Sequence, residues 1–323
     1  MPRALRPFRV DVLPSRITFA DTWKLRPAAM AGRPLWGLVG VGGDELTALG
    51  PDLSDGTPAF IVAGPARSGR SAVTASMTRS FLASGAQVIL VTPRPSPLRA
   101  LASRPGVARS FEQSDLGGDE LAAALASLTG PAAVVIDDAD LLTDCEAGGE
   151  LSKIITRGAG RSLALVVAGD PDTLASGFGG WPADARRARR GCLTAPQTLP
   201  EGELIGVRLT HAHTGSPVRP GRALLNTGDG NLITVTIPAG QARRSLPCSS
   251  PMAQDFSHPE FLSRRSRRQA RLISHTVTHL SRNVLRASYA PNLPGTGFVP
   301  PGVADQVPDG PGSCLNRSRG QAV

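Results

Sequence analysis

The chain has 323 residues, 41% apolar and 19% charged, which is enough to bury the core of one large α/β domain or two small ones. It contains no stretch of about 18 apolar residues, so we expect no membrane span. The first residues, MPRALRPFRVDVLPSR, are basic but lack an apolar segment, so we expect no signal peptide and a cytoplasmic location. The four cysteines lie far apart without C-x-x-C spacing, which argues against a disulfide framework or a zinc site.

The positive charge is concentrated near the C-terminus. Residues 241–323 contain 11 arginines and 4 acids, whereas residues 1–240 contain 24 basic and 22 acidic residues. The body of the protein is therefore nearly neutral. Binding of DNA through the arginine-rich tail is one hypothesis, and it predicts salt-sensitive, sequence-independent affinity.

Three regions are predicted along the chain. Residues 1–33 are a lead-in, in which residues 9–19 read as alternating strand and turn. Residues 34–240 alternate short strands with helices, the pattern of a mainly parallel sheet covered by helices on both faces. Residues 241–323 are basic and rich in Pro and Gly, and we expect them to be mostly disordered.

The predicted strands are short apolar runs with β-branched residues, typical of strands buried on both faces. They cover residues 35–41, 59–63, 87–92, 132–136 and 162–168. Helices are predicted at residues 70–83, 118–128, 147–158 and 183–190. Residues 223–237 are predicted to form a hairpin, with its turn at Gly228, Asp229 and Gly230.

The strongest motif is GPARSGRS at residues 64–71, between an apolar strand and a predicted helix. It follows the P-loop template G-x-x-x-x-G-K-[ST], in which glycines let the backbone wrap around an anion and the helix adds its positive dipole end. The candidate phosphate-binding residues are Gly64, Arg67, Ser68, Gly69, Arg70 and Ser71. The Ser71 hydroxyl is also a candidate ligand for Mg²⁺. The alternative is an ordinary Gly-rich turn between a strand and a helix.

Arg70 stands where the template has lysine. Lysine offers a compact point charge, whereas arginine is longer, planar and bidentate. Arg70 can still neutralise phosphate charge as a catalytic cation, but the geometry at the transferred phosphate differs. We therefore expect nucleotide binding to tolerate this residue better than turnover does.

A second motif follows about 65 residues later, where the strand AAVVI ends in Asp137 and Asp138. A Walker B strand ends in this way, with the first acid holding Mg²⁺ and the next acidic position polarising the attacking water. Asp137 is thus the candidate metal ligand and Asp138 the candidate catalytic carboxylate, with Asp140 as a substitute. A strand that simply ends in an acidic turn is the alternative.

Three further features have structural explanations at least as strong as functional ones. GLVGVGGDEL at residues 37–46 lacks dinucleotide-motif spacing and reads as a strand with a hairpin turn. Asp170 and Asp172 follow a predicted strand, where Asp170 is either a helix N-cap or part of a sensor. The arginines among residues 186–190 are expected on a solvated helix face, with an arginine finger or a nucleic-acid contact as the alternatives.

Longer segments resemble the FtsK/SpoIIIE family of P-loop motors, in particular the terminal ATPase module of proteins that include the EccC component of type VII secretion. The resemblance covers about residues 34–238. It is carried by five segments: VAGPARSGRS at 62–71, VVIDDADLL at 134–142, GFGGWPADARRARRGCLTAPQ at 177–197, EGELIGVRL at 201–209 and PGRALLNTGDG at 220–230.

This resemblance implies a RecA-like P-loop fold, ATP with Mg²⁺ as cofactors, and assembly with other ATPase modules in tandem or in a ring. It implies double-stranded DNA or a secreted polypeptide as cargo, and a position beside a membrane complex. The chain departs from the family at Arg70, at Asp138 where glutamate is usual, and at Gly169 and Asp170 where a polar sensor pair is expected. The resemblance therefore implies ATP binding with weak or no hydrolysis. The alternative is an inactive P-loop scaffold that binds a partner protein.

Overall fold

The computed structural model describes residues 11–215 and 221–239. In chain order, the helices and strands are α1 (Phe19–Lys24), β1 (Gly40–Gly42), β2 (Thr47–Leu49), β3 (Ala59–Ala63), α2 (Arg70–Ala83), β4 (Gln87–Val91), β5 (Val107–Phe111), α3 (Gly118–Ala126), β6 (Ala132–Ile136), α4 (Gly148–Arg157), β7 (Leu163–Gly169), α5 (Pro171–Ala175), α6 (Gly180–Arg186), β8 (Gly191–Leu193), β9 (Arg222–Asn226) and β10 (Ile233–Thr236). Short 3-10 turns occur at Ala28–Met30, Pro97–Leu101, Ala139–Leu141, Ala159–Arg161 and Leu199–Ile205.

The ten strands form one sheet in the order β2-β1-β10-β9-β8-β3-β7-β6-β4-β5. From β8 to β5 all neighbouring strands are parallel. From β8 to β2 they are antiparallel. The carboxyl ends of β3, β4, β6 and β7 therefore meet at one edge, where α/β sheets place their ligands. The mainly parallel α/β fold predicted from the sequence is confirmed.

Helices cover both faces of the sheet, as predicted. Successive residues of β3 alternate between two core clusters, so Ile61 faces one and Phe60 the other. Phe81 of α2 belongs to the same cluster as Phe60, whereas Leu151 of α4 and Trp181 of α6 belong to that of Ile61. Since all five residues of β3 are buried, the loop that follows starts from a strand in the interior of the sheet.

Helix α2 is buried around much of its circumference, which its sequence of small and polar residues makes possible. The hydroxyl of Thr78 donates to the Thr74 carbonyl at 2.8 Å, and that of Ser80 donates to Met77 at 2.7 Å. These bonds satisfy hydroxyls that burial would otherwise leave unpaired. Ser80 also accepts the Leu38 amide at 2.9 Å, which ties the helix to the chain before β1.

The strand predicted at residues 35–41 is wrong over most of its length. Only Gly40–Gly42 forms a strand. Leu38 gives its amide to a side chain rather than to a neighbouring strand. The residues preceding β1 are buried and run antiparallel to residues 49–53: the amides of Gly37 and Val39 donate to carbonyls of that segment at 2.9 Å, and Trp36 forms an isolated bridge with it.

Other predictions are confirmed with small shifts at their ends. The strand at residues 59–63, the helix at 70–83 and the strand at 132–136 have the predicted bounds. The hairpin of β9 and β10 pairs antiparallel around the predicted turn. The helix predicted at residues 183–190 instead ends at Arg186, because Arg189 has a positive φ of 50° that breaks the helical path.

In the lead-in, the alternating strand and turn predicted for residues 9–19 is wrong for the part that the structure describes. Thr18 makes only an isolated bridge with Ala239. Its hydroxyl oxygen accepts the Asp21 amide at 3.2 Å and so caps α1, which begins at Phe19. The boundaries at residues 33 and 240 stay predictions, and the tail predicted to be disordered lies outside the described residues.

Within the described ranges, every helix is too short or too polar to cross a lipid bilayer.

Candidate functional site

Residues 64–71 leave the carboxyl end of β3 as a curled loop. Arg67 has a φ of 63° and Gly69 a φ of 111°, so the backbone twice enters the left-handed region that an extended segment does not visit. The Ser68 amide donates to the Pro65 carbonyl at 3.3 Å within this turn. Gly69 has no side chain to cap α2, so among the described residues the amides of the first helical turn have no side-chain acceptor. This is the form of an anion-binding loop at a helix N-terminus.

Thr194, the residue after β8, holds the loop against the sheet. Its hydroxyl lies 2.6 Å from the hydroxyl of Ser68, and both side chains are buried. Gly64 packs so closely on Thr194 that an added Cβ would overlap the hydroxyl and carbonyl oxygens of that residue. Thr194 was not among the predicted site residues, because β8 has only three residues and was not predicted.

Replacing Gly64 with alanine is expected to destabilise the protein by about 1–3 kcal/mol, because the new methyl group collides with backbone that cannot easily move. Gly130→Ala is the matched control, since no atom of the described residues lies within 4 Å of a Cβ at that position. Urea unfolding of the two variants and the wild type measures the difference. Equal unfolding free energies for the Gly64 and Gly130 variants would contradict the tight packing described above.

The side chain of Arg70 joins the loop to the acidic strand end. Its Nη1 donates to the Gly64 carbonyl at 3.0 Å, and its Nη2 donates to Asp138 Oδ1 at 3.1 Å. Only 10% of the Arg70 side chain and 15% of the Asp138 side chain are exposed. The arginine that replaces the usual lysine is therefore bound by two acceptors of the protein itself.

Asp137 is the most buried acid of the site, at 1% exposure. Its amide donates to the Val91 carbonyl at 2.9 Å, which continues the pairing of β6 with β4. Its Oδ2 accepts a hydrogen bond of 2.5 Å from the hydroxyl of Ser96. Its Oδ1 is also buried but has no hydrogen-bond partner in the described part of the chain. Such an orphaned oxygen is unfavourable unless another group binds it.

The predicted Mg²⁺ ligands fit this arrangement. An unpartnered carboxylate oxygen is the kind of ligand that Mg²⁺ prefers, and Mg²⁺ usually takes one or two protein carboxylates and completes its shell with water and substrate phosphates. Ser71, the second predicted ligand, is the partly exposed second residue of α2. The described residues contain no group of three His, Cys, Asp or Glu side chains suited to a metal, so these two ligands would need phosphate oxygens beside them.

Asp138 has an uncommon backbone, with φ 56° and ψ 49°, a left-handed conformation that Asp and Asn tolerate better than most residues. Burial, followed by the negative charge of Asp137, raises the pKa of its carboxyl above the ordinary value, although Arg70 acts in the opposite direction. Arg94 lies 3.6 Å from Asp138 and 3.1 Å from Asp140. Asp138 thus lies between two arginines and two acids.

The structure brings most of the predicted site residues together. Gly64, Ser68, Gly69 and Arg70 shape the loop, and Arg70 contacts Asp138 directly. Arg67 is the exception, because its side chain is exposed. Arg94 and Ser96 were missed, although both follow β4, whose carboxyl end meets the same edge of the sheet.

Two of the sequence features for which a structural explanation competed with a functional one have a structural role. Residues 37–46 do contain a strand and a hairpin turn, formed by β1 and β2. Asp170 is the N-cap of α5, since its Oδ1 accepts the Asp172 amide at 3.1 Å.

The prediction that the arginines of residues 186–190 form a solvated face is wrong for two of them. Arg190 is only 8% exposed and donates to the backbone carbonyls of Asp52, in the segment before β3, at 3.2 Å and of Ala59, the first residue of β3, at 3.1 Å. Arg186 donates to the carbonyls of Leu174 at 2.6 Å and Ser176 at 2.9 Å. Their guanidinium groups satisfy loop carbonyls, which the charge pattern alone does not reveal.

No protein-family model matches the chain, and no curated protein matches its sequence. Solved structures do share its fold. EssC (ATPases 2 and 3) from Geobacillus thermodenitrificans is 17% identical with a TM-score of 0.55, over 70% of this chain and 45% of that one. EccC (ATPases 2 and 3) from Thermomonospora curvata, in complex with a signal sequence peptide, is 16% identical with a TM-score of 0.57, over 72% and 44% of the two chains. A protein described as an ATPase is 21% identical with a TM-score of 0.54, over 72% of this chain and 98% of that one.

These similarities confirm, at the level of the fold, the resemblance to EssC and EccC ATPase modules that the sequence predicts. The RecA-like P-loop architecture is likewise confirmed. This chain spans less than half the length of the EssC and EccC chains that it matches.

Proposed function

We propose that the protein is an ATP-binding module of the FtsK/SpoIIIE type, whose residues 64–71 bind the phosphates of ATP. The observation that carries this proposal is the ion pair of 3.1 Å between Arg70 and Asp138. It places the curled loop before α2 directly against the acidic end of β6, which is separated from β3 by β7, as phosphoryl-transfer sites require. The likeness in fold to EssC and EccC ATPase modules supports the same function.

In this proposal Ser71 and Asp137 hold Mg²⁺, which when bound would neutralise charge on the phosphates. The loop amides and the N-terminus of α2 orient the phosphates, and Arg70 adds a positive charge beside them. Asp138 accepts a proton from the attacking water. Its raised pKa makes it a better base than an ordinary aspartate, because proton transfer is most efficient when the pKa of the base approaches the working pH.

We propose that the module works with other ATPase modules, in tandem or in a ring, beside a membrane complex. Several of the structures with the same fold are multi-module secretion ATPases, and one of them is bound to a signal sequence peptide. A secreted polypeptide is therefore the cargo that we favour. DNA binding through the tail stays a second prediction about cargo.

The Mg²⁺ ligand is tested by Asp137→Asn, with Asp170→Asn as the matched control at the carboxyl end of β7. Asparagine is as good an N-cap as aspartate, so the control keeps its structural role. At 100 times its Kd, Mg-ATP is expected to raise the melting temperature of the wild type and the control by about 5–10 °C.

The Asp137 variant is expected to lose the part of this shift that depends on Mg²⁺. Differential scanning fluorimetry with ATP, in Mg²⁺ and in EDTA, gives the comparison. Equal Mg²⁺-dependent shifts in the Asp137 and Asp170 variants would remove Asp137 from the metal site.

One observation favours a second function, an inactive P-loop scaffold that binds a partner protein. The Arg70 guanidinium donates hydrogen bonds to the Gly64 carbonyl and the Asp138 carboxylate, so phosphates must displace it from these acceptors. If the protein is such a scaffold, Mg-ATP changes the melting temperature of neither the wild type nor an Arg70→Lys variant. This result would distinguish the scaffold from the ATP-binding module.

A further inference from the structure

A groove with a volume of about 1060 Å³ lies between residues 16–21 of the lead-in and the outer surface of α2. Its apolar lining includes Phe19, Leu82 and Leu101. None of the residues of the loop at 64–71 or of the acidic strand end lines it. It is therefore a surface separate from the candidate nucleotide site.

The two sites lie at opposite ends of α2. The helix has 14 residues and is therefore roughly 20 Å long at 1.5 Å per residue. Its first turn begins at Arg70, whereas the groove is lined by Arg79, Leu82 and Ala83 from its last turns. A ligand in the groove does not need nucleotide in order to bind.

The groove carries an excess of positive charge. Arg16, Arg79 and Arg104 all line it, and none of their side chains has an ion pair or hydrogen bond to any residue that the structure describes. The acid in the lining, Asp21, already accepts hydrogen bonds from Thr18 at 2.7 Å and Lys24 at 3.0 Å. Within the part of the chain that the structure describes, the three arginines thus lack a counter-charge of their own.

Among the described residues, Arg79 is the clearest example of an arginine without a counter-charge, because three other arginines that are largely withdrawn from solvent have hydrogen-bond acceptors. Arg70 pairs with Asp138, Arg99 pairs with Glu112 at 2.9 Å, and Arg190 donates to carbonyls. Arg79 instead shares the groove with a second arginine, Arg104. Burial, followed by the positive charge of Arg104, lowers the pKa of the Arg79 guanidinium. A negative charge placed between these two side chains would relieve both effects.

The apolar lining restricts which class of ligand the groove can bind. A free phosphate ion could pair with the arginines but would leave the partly exposed Phe19 and Leu82 uncovered, and a nucleic-acid backbone offers no apolar side chain to fill the groove. A polypeptide that carries carboxylates beside an apolar side chain satisfies both parts. We propose that the groove binds an acidic segment of a partner protein, with an apolar side chain on Phe19 and Leu82 and carboxylates on Arg79 and Arg104.

The test uses the full chain and a fluorescein-labelled pool of heptapeptides made from Asp, Glu, Leu and Phe. A second pool replaces Asp and Glu with Asn and Gln. In fluorescence anisotropy we expect the acidic pool to bind at least tenfold more tightly than the neutral pool. We expect a double variant, Arg79→Glu with Arg104→Glu, to lose this binding by tenfold or more.

Arg157→Glu is the matched control, because Arg157 ends α4 on the other face of the sheet. It should change the affinity by less than twofold, and saturating Mg-ATP should not compete. Equal binding by the wild type and the double variant would assign the signal to other basic residues and overturn the proposal. Failure of the acidic pool to bind at 1 mM would overturn it as well. So would arginine-dependent binding of phosphatidylglycerol vesicles in place of the peptides, because it would identify a lipid surface instead.

Discussion

Replacing Asp138 with asparagine is expected to lower ATP hydrolysis by about a hundredfold and, at the same time, to raise the melting temperature at pH 7. The loss of turnover follows because asparagine cannot accept a proton, a role that usually contributes at least this factor. Asparagine keeps the left-handed backbone of Asp138 without strain. The two effects therefore report on the carboxylate and not on the backbone.

The stability effect depends on pH in a defined direction. Because the folded protein raises the pKa of the Asp138 carboxyl above its ordinary value, the ionised carboxylate is less favourable in the folded chain than in the unfolded chain. The contribution of this group to stability is thus fully present below the unfolded value and is lost as the pH rises through the raised folded value. Asparagine mimics the protonated form, so the advantage of the variant should grow from near zero at about pH 4 to its full size at pH 7.

Thermal unfolding of both proteins between pH 4 and 8, with a phosphate-release assay at pH 7, measures the two effects. Asp170→Asn again serves as the control and should change turnover by less than twofold. A melting temperature that falls in the Asp138 variant at pH 7 would show that the Arg70 ion pair outweighs the cost of burial. Turnover of the Asp138 variant within threefold of the wild type would show that Asp138 is not the base that accepts the proton from the attacking water.

Replacing Arg70 with lysine is expected to tighten Mg-ATP binding by about tenfold. In the structure Arg70 holds the Gly64 carbonyl and the Asp138 carboxylate at once, and phosphates must displace at least one of these contacts. A charged hydrogen bond contributes about 1.5 kcal/mol or more, and about 1.4 kcal/mol corresponds to a factor of ten. Lysine has a single compact ammonium group and cannot reproduce the planar, two-acceptor contact.

Arg94→Lys is the control for this substitution, since Arg94 also contacts Asp138 but is 51% exposed and lies outside the loop. Its effect on affinity should stay below twofold. Isothermal titration calorimetry of the two variants gives the comparison. An affinity of the Arg70 variant that is unchanged or weaker than that of the wild type would mean that Arg70 already serves the phosphates in its present position.

The sequence was sufficient to predict the centre of the fold. The strand at residues 59–63, the loop after it and the helix at 70–83 follow from an apolar run, a glycine motif and the small residues that let a helix be buried. The strand ending in Asp137 and Asp138 follows from the same reasoning. These elements depend mainly on local pattern and burial, which a single sequence records.

Elements whose character depends on distant partners were missed. β5 has the sequence VARSF, and its exposed Arg109 interrupts the apolar run because the strand lies at the edge of the sheet. β8 is only three residues long, yet it brings Thr194 to the loop.

The contact between Arg70 and Asp138 joins residues 68 positions apart. The motifs predicted that both residues belong to one site, but not that they would bind each other. That contact depends on the reach of an arginine in place of lysine, and only the folded geometry reveals it.

The most direct test of nucleotide binding is calorimetric titration of the full wild-type chain with ATP, in Mg²⁺ and in EDTA. The proposal predicts one saturable site whose affinity falls when Mg²⁺ is removed, because Asp137 then has no cation to bind. Absence of binding heat for Mg-ATP in both the wild type and the Arg70→Lys variant would contradict it and leave the partner-binding scaffold as the function of this fold.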